Sequence, residues 1–347
     1  MIHAIVMAGG KGTRFWPLSR AVRAKQFLRI VGEQTLLEQT ISRAKNGVDQ
    51  VWIVGNACHA PFFDEVDSTL TPDHILYEPE GRNTAPCIGW AAAEILKQDP
   101  DGVMVVLPSD HCIADPQEFQ RLIQIAIELV KTENCLVTLG IKPTFPHTGF
   151  GYIEIKGIEN EVGQVVRFRE KPNYDTAVRF IKSGNFYWNA GIFVWKARTI
   201  FDLIKSYIPE DADAYDQILA LGNDSSDRPQ LETVFGTLQK ISIDFAVMEQ
   251  AVALTRIIPA DIGWDDIGSW SALENHWPKD ESGNASRADV VAVNSRNNVV
   301  YSQKKLVALI DVDDLIVVET DDAILVLPKR SDQKIRELYE RLPQGYQ

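Results

Sequence analysis

The stretch Ala4–Phe27, AIVMAGGKGTRFWPLSRAVRAKQF, decides how this chain is read. Ile2 to Met7 is a short apolar run with the character of a buried first β-strand, and it breaks into Gly9-Gly10-Lys11-Gly12-Thr13-Arg14. Glycines directly after a parallel strand bring backbone N–H groups close to a ligand, and a helix starting nearby would add its positive end. Thr13 can donate a hydrogen bond, while Arg14, Arg20, Arg23 and Lys25 crowd cations into the same segment. The sum suits a polyphosphate. A bland tight turn with solvated cations explains the glycines but leaves the Gly-Thr-Arg and Lys25 cluster as coincidence. Two familiar loops fail on spacing. A P-loop needs Ser or Thr after its Lys, and Gly12 follows Lys11. The dinucleotide fingerprint needs a third glycine where Phe15 stands.

Strand-like runs recur downstream at Val51–Val54, Val103–Leu107 and Leu136–Ile141. Between them lie helix-periodic segments at Leu36–Lys45, Ala85–Lys97 and Phe119–Lys131. Alternating strand and helix predicts a mostly parallel sheet covered on both faces by helices, with ligands beyond the strand carboxyl ends. From Gly149 to about Thr255 the pattern mixes short strands (Gly151–Ile155, Val165–Arg169, Gly191–Trp195) with helices (Tyr174–Lys182, Ala197–Ser206, Asp244–Ala251), and GNDSSDRP at Gly222–Pro229 reads as an exposed loop. Past Trp277, short β-rich runs start near Val290, Val299, Leu306, Leu315 and Ile324, with Asn and Asp pairs at the turns. That regularity predicts a small stacked or coiled β unit. Ser331–Leu342 then closes the chain as an amphipathic helix with Ile335, Leu338 and Leu342 on one face. The expected division is residues 1–278 and 279–347, the second part structural.

With 347 residues, 45% of them hydrophobic, the chain can bury a large core. A net charge of −13 argues against a general nucleic-acid binder, yet leaves the local basic cluster free to hold a small anion. Cys58, Cys87, Cys112 and Cys135 show no C-x-x-C spacing and read as reduced thiols. The first residues are core strand rather than a signal segment, and no apolar run approaches the roughly 20 residues a membrane span needs. A cytoplasmic protein is expected.

Further segments carry chemistry. VMVVLPSDH puts Asp110 at the carboxyl end of a buried strand, where it could serve Mg²⁺ or simply cap a helix. IGWDDIGSW offers Asp265 and Asp266 between glycines as partner acids. FREKP places Glu170 and Lys171 at a strand end, suited to a sugar hydroxyl and a phosphate or to a surface ion pair. Asn189 in YWNAGIFVW could bind hydroxyls or stabilise a turn. EPEGRNTAP reads in part as a helix start, with Asn83 or Thr84 as N-cap, which leaves Glu78, Glu80 and Arg82 without a role.

Taken together, GGKGTRFWPLS, AKQF, EPEGRNTAP, PSDH, GYI, FREKP, NAGIF and GWDDIGSW resemble, in order from residue 9 to 270, the motifs of the sugar-1-phosphate nucleotidylyltransferases. EPEGRNTAP and GWDDIGSW narrow the resemblance to the mannose-1-phosphate guanylyltransferases. The resemblance implies a Rossmann-like nucleotidyltransferase fold and a C-terminal unit similar to a left-handed β-helix. It further implies a metal-assisted displacement: mannose 1-phosphate attacks the α-phosphorus of GTP, giving GDP-mannose and pyrophosphate. Carried over residue by residue, Gly10, Gly12 and Arg14 take the pyrophosphate, and Lys25 neutralises charge near the α-phosphate. Asp110 and Asp266 hold Mg²⁺; Asp266 is preferred to Asp265 because it matches the second acid of the tryptophan-x-Asp-x-Gly pattern. Lys171 meets the sugar phosphate, and Gly151, Glu170 and Asn189 the mannose hydroxyls. Ala8, Gly9, Thr13 and Ser109 belong to the nucleotide site, Ser109 at the ribose in a position where many relatives have Ala. Guanine presents N1–H and N2–H₂ donors side by side, which one carboxylate can accept together; this selects Glu78 for the base, with Arg82 and Asn83 shaping its loop. A homodimer and transferase activity without an added isomerase domain are expected. The rival readings are a guanylyltransferase for another sugar 1-phosphate, such as a heptose, and a silent GDP-sugar sensor.

Overall fold

A computed structural model describes residues 1–10, 12–66, 70–222 and 227–347. Its strands, in chain order, are β1 (Ile2–Ala8), β2 (Gln50–Asn56), β3 (Ile75–Glu78), β4 (Val103–Pro108), β5 (Cys112–Ile113) and β6 (Leu136–Ile141). There follow β7 (Tyr152–Glu159), β8 (Val162–Arg169), β9 (Phe186–Lys196), β10 (Thr255–Ala260) and β11 (Trp264–Asp265). The C-terminal strands are β12 (Ala285–Arg287), β13 (Val290–Val293), β14 (Val299–Ser302), β15 (Val307–Ile310), β16 (Leu315–Glu319) and β17 (Ile324–Pro328).

A nine-stranded sheet in the order β3-β2-β1-β4-β9-β6-β10-β8-β7 forms the centre. β3, β2, β1 and β4 run parallel, as the alternation of strand and helix implies. β9 then inserts antiparallel between β4 and β6, so the sheet is mixed in its second half. Both faces are buried, and the two-residue side-chain period of each strand divides its residues between two cores. Ile5, Met104 and Val106 join the helices Thr84–Gln98 and Ala197–Tyr207 on one face. Ala4, Val6, Val105 and Leu107 join Leu36–Lys45 and Pro116–Thr132 on the other. Local sequence starts these helices where the chain leaves the sheet. Thr35 and Glu38 form a reciprocal capping box, and Asp115 caps Pro116–Thr132, with Pro116 at its first position.

The register sets the site. Met7 lies beside Pro108, Ala8 beside Gly55, and Asn56 beside Glu78. The glycine-rich loop, the Ser109–His111 turn and Glu78 therefore leave the same carboxyl edge of adjacent parallel strands.

Beyond Trp277 the chain coils. β12, β14 and β16 pair in parallel, β17 closes that layer antiparallel, and β13 and β15 pair in a second layer. The eight- or nine-residue spacing in the sequence is thus half a coil, alternating between layers. Asn294, Asn297, Asp311 and Asp314 take left-handed backbone angles at the corners, a conformation Asn and Asp tolerate through local hydrogen bonds. Inside, Asn298 donates to Asn284 Oδ1 at 2.8 Å and accepts from the Leu315 amide at 2.9 Å, so buried amides stack along the coil. This unit shares one apolar cluster with the opening loop: Phe15, Trp16 and Ile30 pack with Trp270, Val299 and Ile335. Arg20 Nη2 donates to both carboxylate oxygens of Asp322, and the Trp277 indole donates to the Ile30 carbonyl at 2.7 Å.

Four expectations change. No α-helix follows the glycine loop; Thr13–Phe15 and Lys25–Phe27 are single 3₁₀ turns, and the first α-helix begins at Leu36. Asp244–Met248 is a π-helical turn, shorter than the helix read from periodicity. The closing helix is 3₁₀ from Lys329 to Lys334 and α only over Ile335–Arg341, with Tyr339 rather than exposed Leu338 packed inward. Within the loop read at Gly222–Pro229, residues 223–226 lie outside the described residues, and Arg228 and Pro229 already belong to the helix Arg228–Phe235. Among the described residues no helix is long and apolar enough to cross a membrane.

Candidate active site

Two cavities meet at the carboxyl edge of β1 and β4, and Asp110 and His111 line both. The first, about 530 Å³, takes Gly12, Thr13 and Arg14 from the loop, together with Lys25 and Asp266. The second, about 410 Å³, takes Gly9 and Gly10 with Glu78, Asn83 and Asp244. The opening loop thus runs along both, its first glycines facing one cavity and its Gly-Thr-Arg facing the other.

Gly12 is required where it stands. Its φ is +60°, and an added Cβ would lie 2.4 Å from Lys25 Cβ and 2.5 Å from the Lys25 amide nitrogen. That close approach seats Lys25, which is buried, with Nζ 2.9 Å from Asp110 Oδ2 and 2.6 Å from the Asp266 carbonyl. Buried Gln26 donates to the Ala8 carbonyl at 2.8 Å and the Gly10 carbonyl at 3.3 Å, fastening the loop to its strand. Arg14 makes no ion pair or hydrogen bond among the described residues, so its charge is uncommitted.

The acids divide by environment. Asp265 is used locally: Oδ1 accepts from the Ile267 amide at 2.7 Å and Oδ2 meets His276 at 3.0 Å. Asp266 faces the cavity. Burial pushes its carboxyl up to about 6; Lys25 opposes this, while Asp265 and Asp110 add to it. Burial also raises Asp110, but Lys25 and His111 outweigh it and leave that carboxyl below its usual value. Two carboxylates on one cavity, one of them disfavoured as an anion and without a hydrogen bond of its own, fit a hard divalent cation. No third His, Cys, Asp or Glu completes a cluster around them among the described residues.

Glu78 ends β3 and is buried, and burial pushes its carboxyl up to about 7. Among the described residues Oε1 has no hydrogen-bond partner, and Oε2 lies 2.7 Å from where a Cβ on Gly9 would be. Gly9 is therefore the space that the carboxylate needs. Asn83 caps the helix Thr84–Gln98 at φ +70°, its Oδ1 accepting from the Thr84 amide at 2.9 Å.

The residues expected on the sugar side converge as well. A Cβ on Gly151 would lie 2.5 Å from Glu170 Oε2 and 3.4 Å from Asn189 Cβ. Lys171 takes φ +44° and pairs with Glu170 at 2.7 Å. Asn189 donates to Asp244 Oδ1 at 2.7 Å, which ties this group to the second cavity. Glu170, Lys171 and Asn189 themselves line neither cavity.

Three expected contacts are displaced. Arg82 pairs with Glu80 at 2.7 Å and with the Leu238 carbonyl, and lines neither cavity, because the acid two residues earlier captures it. Ser109 is buried, its amide donating to the Met7 carbonyl at 3.2 Å, and it lines neither cavity. Ala8 is buried strand and contributes its carbonyl to Gln26.

Sequence reading gave no role to Gln26, His111 or Asp244, and it read the terminal helix without a part in the cavity that Arg336, Tyr339 and Glu340 line. His111 stands in the quoted PSDH, where Ser109 and Asp110 drew notice and the histidine did not. Burial pushes its imidazole down to about 4, so it is neutral, and Trp264 Nε1 donates to Nδ1 at 3.1 Å, which leaves Nε2 to carry the proton. Burial and then Glu170 push the Asp244 carboxyl up to about 6. It sits on a π turn, a geometry frequent at functional sites and invisible to a helical period.

Comparison with known proteins agrees with this arrangement. Residues 3–283 match the nucleotidyl transferase family, and residues 288–342 match the MannoseP isomerase/GMP-like beta-helix domain. The xanthan biosynthesis protein XanB of Xanthomonas campestris (strain ATCC 33913) is 38% identical over 97% of this chain and 72% of its own length. The mannose-1-phosphate guanylyltransferase of Escherichia coli K12 is 36% identical over 98% of this chain and 73% of its own. A crystal structure from Thermus thermophilus, described as a mannose-1-phosphate geranyltransferase, superposes with a TM-score of 0.88 at 34% identity over 98% of both chains. The chain belongs to the nucleotidyl transferase family and is a nucleotidyltransferase enzyme of the mannose-1-phosphate guanylyltransferase group.

Proposed function

We propose that the enzyme transfers guanylyl from GTP to α-D-mannose 1-phosphate. A phosphate oxygen of the sugar phosphate attacks the α-phosphorus in line, the bond to the β-phosphate oxygen breaks, and pyrophosphate leaves. The single observation that carries this reading is the pair of cavities sharing Asp110 and His111, with an unpartnered carboxylate in one and an uncommitted guanidinium in the other. Glu78 accepts the two adjacent guanine donors, which supplies the hydrogen bonds its buried carboxylate lacks. The base then lies in the Gly9–Asn83 cavity and the triphosphate runs past Asp110 to Gly12, Thr13 and Arg14. Lys25 sits nearest the reacting phosphorus and is preorganised there by Gly12. Lys171, Glu170, Gly151 and Asn189 receive the sugar phosphate, and Asn189 is oriented by Asp244.

Asp110 and Asp266 would hold Mg²⁺, which when bound neutralises phosphate charge and polarises the phosphoryl oxygens. A cytoplasmic homodimer, divided at residues 278 and 279, completes the proposal.

The test is pyrophosphate release from purified protein with Mg²⁺, mannose 1-phosphate and each of GTP, ATP, UTP and dTTP. Release with GTP alone, abolished by EDTA, supports the reading. Release only with another sugar phosphate changes the substrate, and none with any pair favours a GDP-sugar sensor.

A further inference from the structure

The closing helix does more than pack. Its inner face, Ile335 and Tyr339, joins Phe15 and Trp16 of the glycine-rich loop, and Trp16 Nε1 donates to the Tyr346 carbonyl at 2.8 Å. That packing sets Arg336 and Glu340, one turn apart, on the wall of the 530 Å³ cavity with Arg14, Lys25, Asp110 and Asp266. Residues more than 300 positions from the loop in sequence therefore share its cavity.

The charges there are unevenly used. Lys25 is committed to Asp110. Arg336 meets only Glu340 among the described residues, at 3.9 Å between Nε and Oε1, and both side chains are largely exposed. Such a pair contributes little and leaves the guanidinium edge open. Arg14 has no carboxylate partner among the described residues. Two guanidinium groups at one cavity, Arg14 without an ion pair among the described residues and Arg336 in only a long, exposed one, match the planar, bidentate recognition of phosphate oxygens in a chain of net charge −13. Glu340 is the acid opposing this on the helix, and a polyphosphate carries enough charge to displace it from Arg336.

We propose that Arg336, delivered by the terminal helix, binds the β- and γ-phosphates of the nucleotide, which leave as pyrophosphate, in the cavity it shares with Arg14. This rests on the guanylyltransferase reading. It makes the C-terminal unit part of the reaction cavity, where the sequence suggested a structural tail.

The experiment uses the whole chain and compares wild type with Arg336→Ala, Arg336→Lys and Glu340→Gln, run in reverse with GDP-mannose and pyrophosphate. One lost charge-assisted contact at a partly open site predicts a KM for pyrophosphate roughly five- to tenfold higher in Arg336→Ala. The KM for GDP-mannose and the melting temperature stay as in wild type. Arg336→Lys recovers part of the loss, Glu340→Gln lowers the pyrophosphate KM, and added salt narrows all these differences. An unchanged pyrophosphate KM in Arg336→Ala overturns the proposal. So does an equal rise for both substrates with a lowered melting temperature, which would mean helix packing alone was lost. A wild-type chain inert with every nucleotide and sugar pair defeats the guanylyltransferase reading instead. Calorimetric titration with inorganic pyrophosphate then still decides on Arg336: weaker binding by Arg336→Ala supports the contact, and equal binding removes it.

Discussion

Replacing Glu78 by Gln separates what this residue costs the fold from what it gives the site. Its carboxyl is buried, one oxygen lacks a partner, and burial raises its pKa from 4.5 to about 7. A carboxyl raised on folding weakens the native state as pH climbs from its unfolded value toward its folded one, because the unfolded chain ionises first. With those two values the penalty is roughly 3 kcal/mol at pH 8 and about half that at pH 5.5, and it fades below about pH 4.5. Glutamine has the same shape and no ionisation, so Glu78→Gln should stabilise the ligand-free protein by about those amounts. At roughly 2 cal/mol/K of unfolding entropy per residue, 3 kcal/mol corresponds to a rise of about 4 °C at pH 8, shrinking to about half at pH 5.5. The same variant can no longer accept both guanine donors. Its KM for GTP should rise at least tenfold, and the wild-type worsening of GTP KM as pH falls through 7 should be absent from it. Thermal melts at the two pH values without ligand, and initial rates with GTP across pH 6–8.5, read both halves. A variant less stable than wild type at pH 8, or a stability difference that ignores pH, would refute the burial argument; an unchanged GTP KM would refute the base contact.

Other perturbations follow the same geometry. Gly12→Ala forces a side chain into φ +60° and onto the Lys25 backbone at 2.4–2.5 Å; it should cost about 2–4 kcal/mol in urea unfolding and abolish measurable turnover. Asp266→Asn removes a disfavoured, partly buried charge while keeping shape, so ligand-free stability should hold or rise. Mg²⁺-dependent turnover should fall by about a hundredfold or more, and a variant retaining full activity would discard Asp266 as a ligand. Asp244→Ala loses the acceptor that orients Asn189 at 2.7 Å; KM for mannose 1-phosphate should rise about five- to tenfold with GTP KM unchanged, and an equal effect on both would deny it a sugar-side role.

Much of the site is legible in the sequence because it is built from loops that follow buried strands. Apolar runs locate the strands, and whatever follows them must lie at one edge of a parallel sheet. Gly9, Gly12, Glu78 and Asp110 are found this way, Asp266 through the resemblance, and the left-handed φ fixes Gly12 further. Choices among neighbours are not legible. Arg82 looks as available as Arg14 in sequence, and only the fold shows that Glu80 and the Leu238 carbonyl take it. Asp265 and Asp266 differ by one position, and the turn decides which faces the cavity.

Helix starts at Thr35 and Asp115, the alternation of β1 and β4, and the corners of the C-terminal coil are local properties, set by capping side chains, side-chain period and left-handed backbone angles within a few residues. Those are written in the chain itself. That β9 should run antiparallel between β4 and β6, that Gly9 should make room for Glu78, and that Arg336 should share a cavity with Arg14 are not. An apolar stripe or an unsatisfied backbone edge states that a partner is needed, without naming it. The partner is selected when the whole chain buries its stripes at once, and that choice belongs to the tertiary structure.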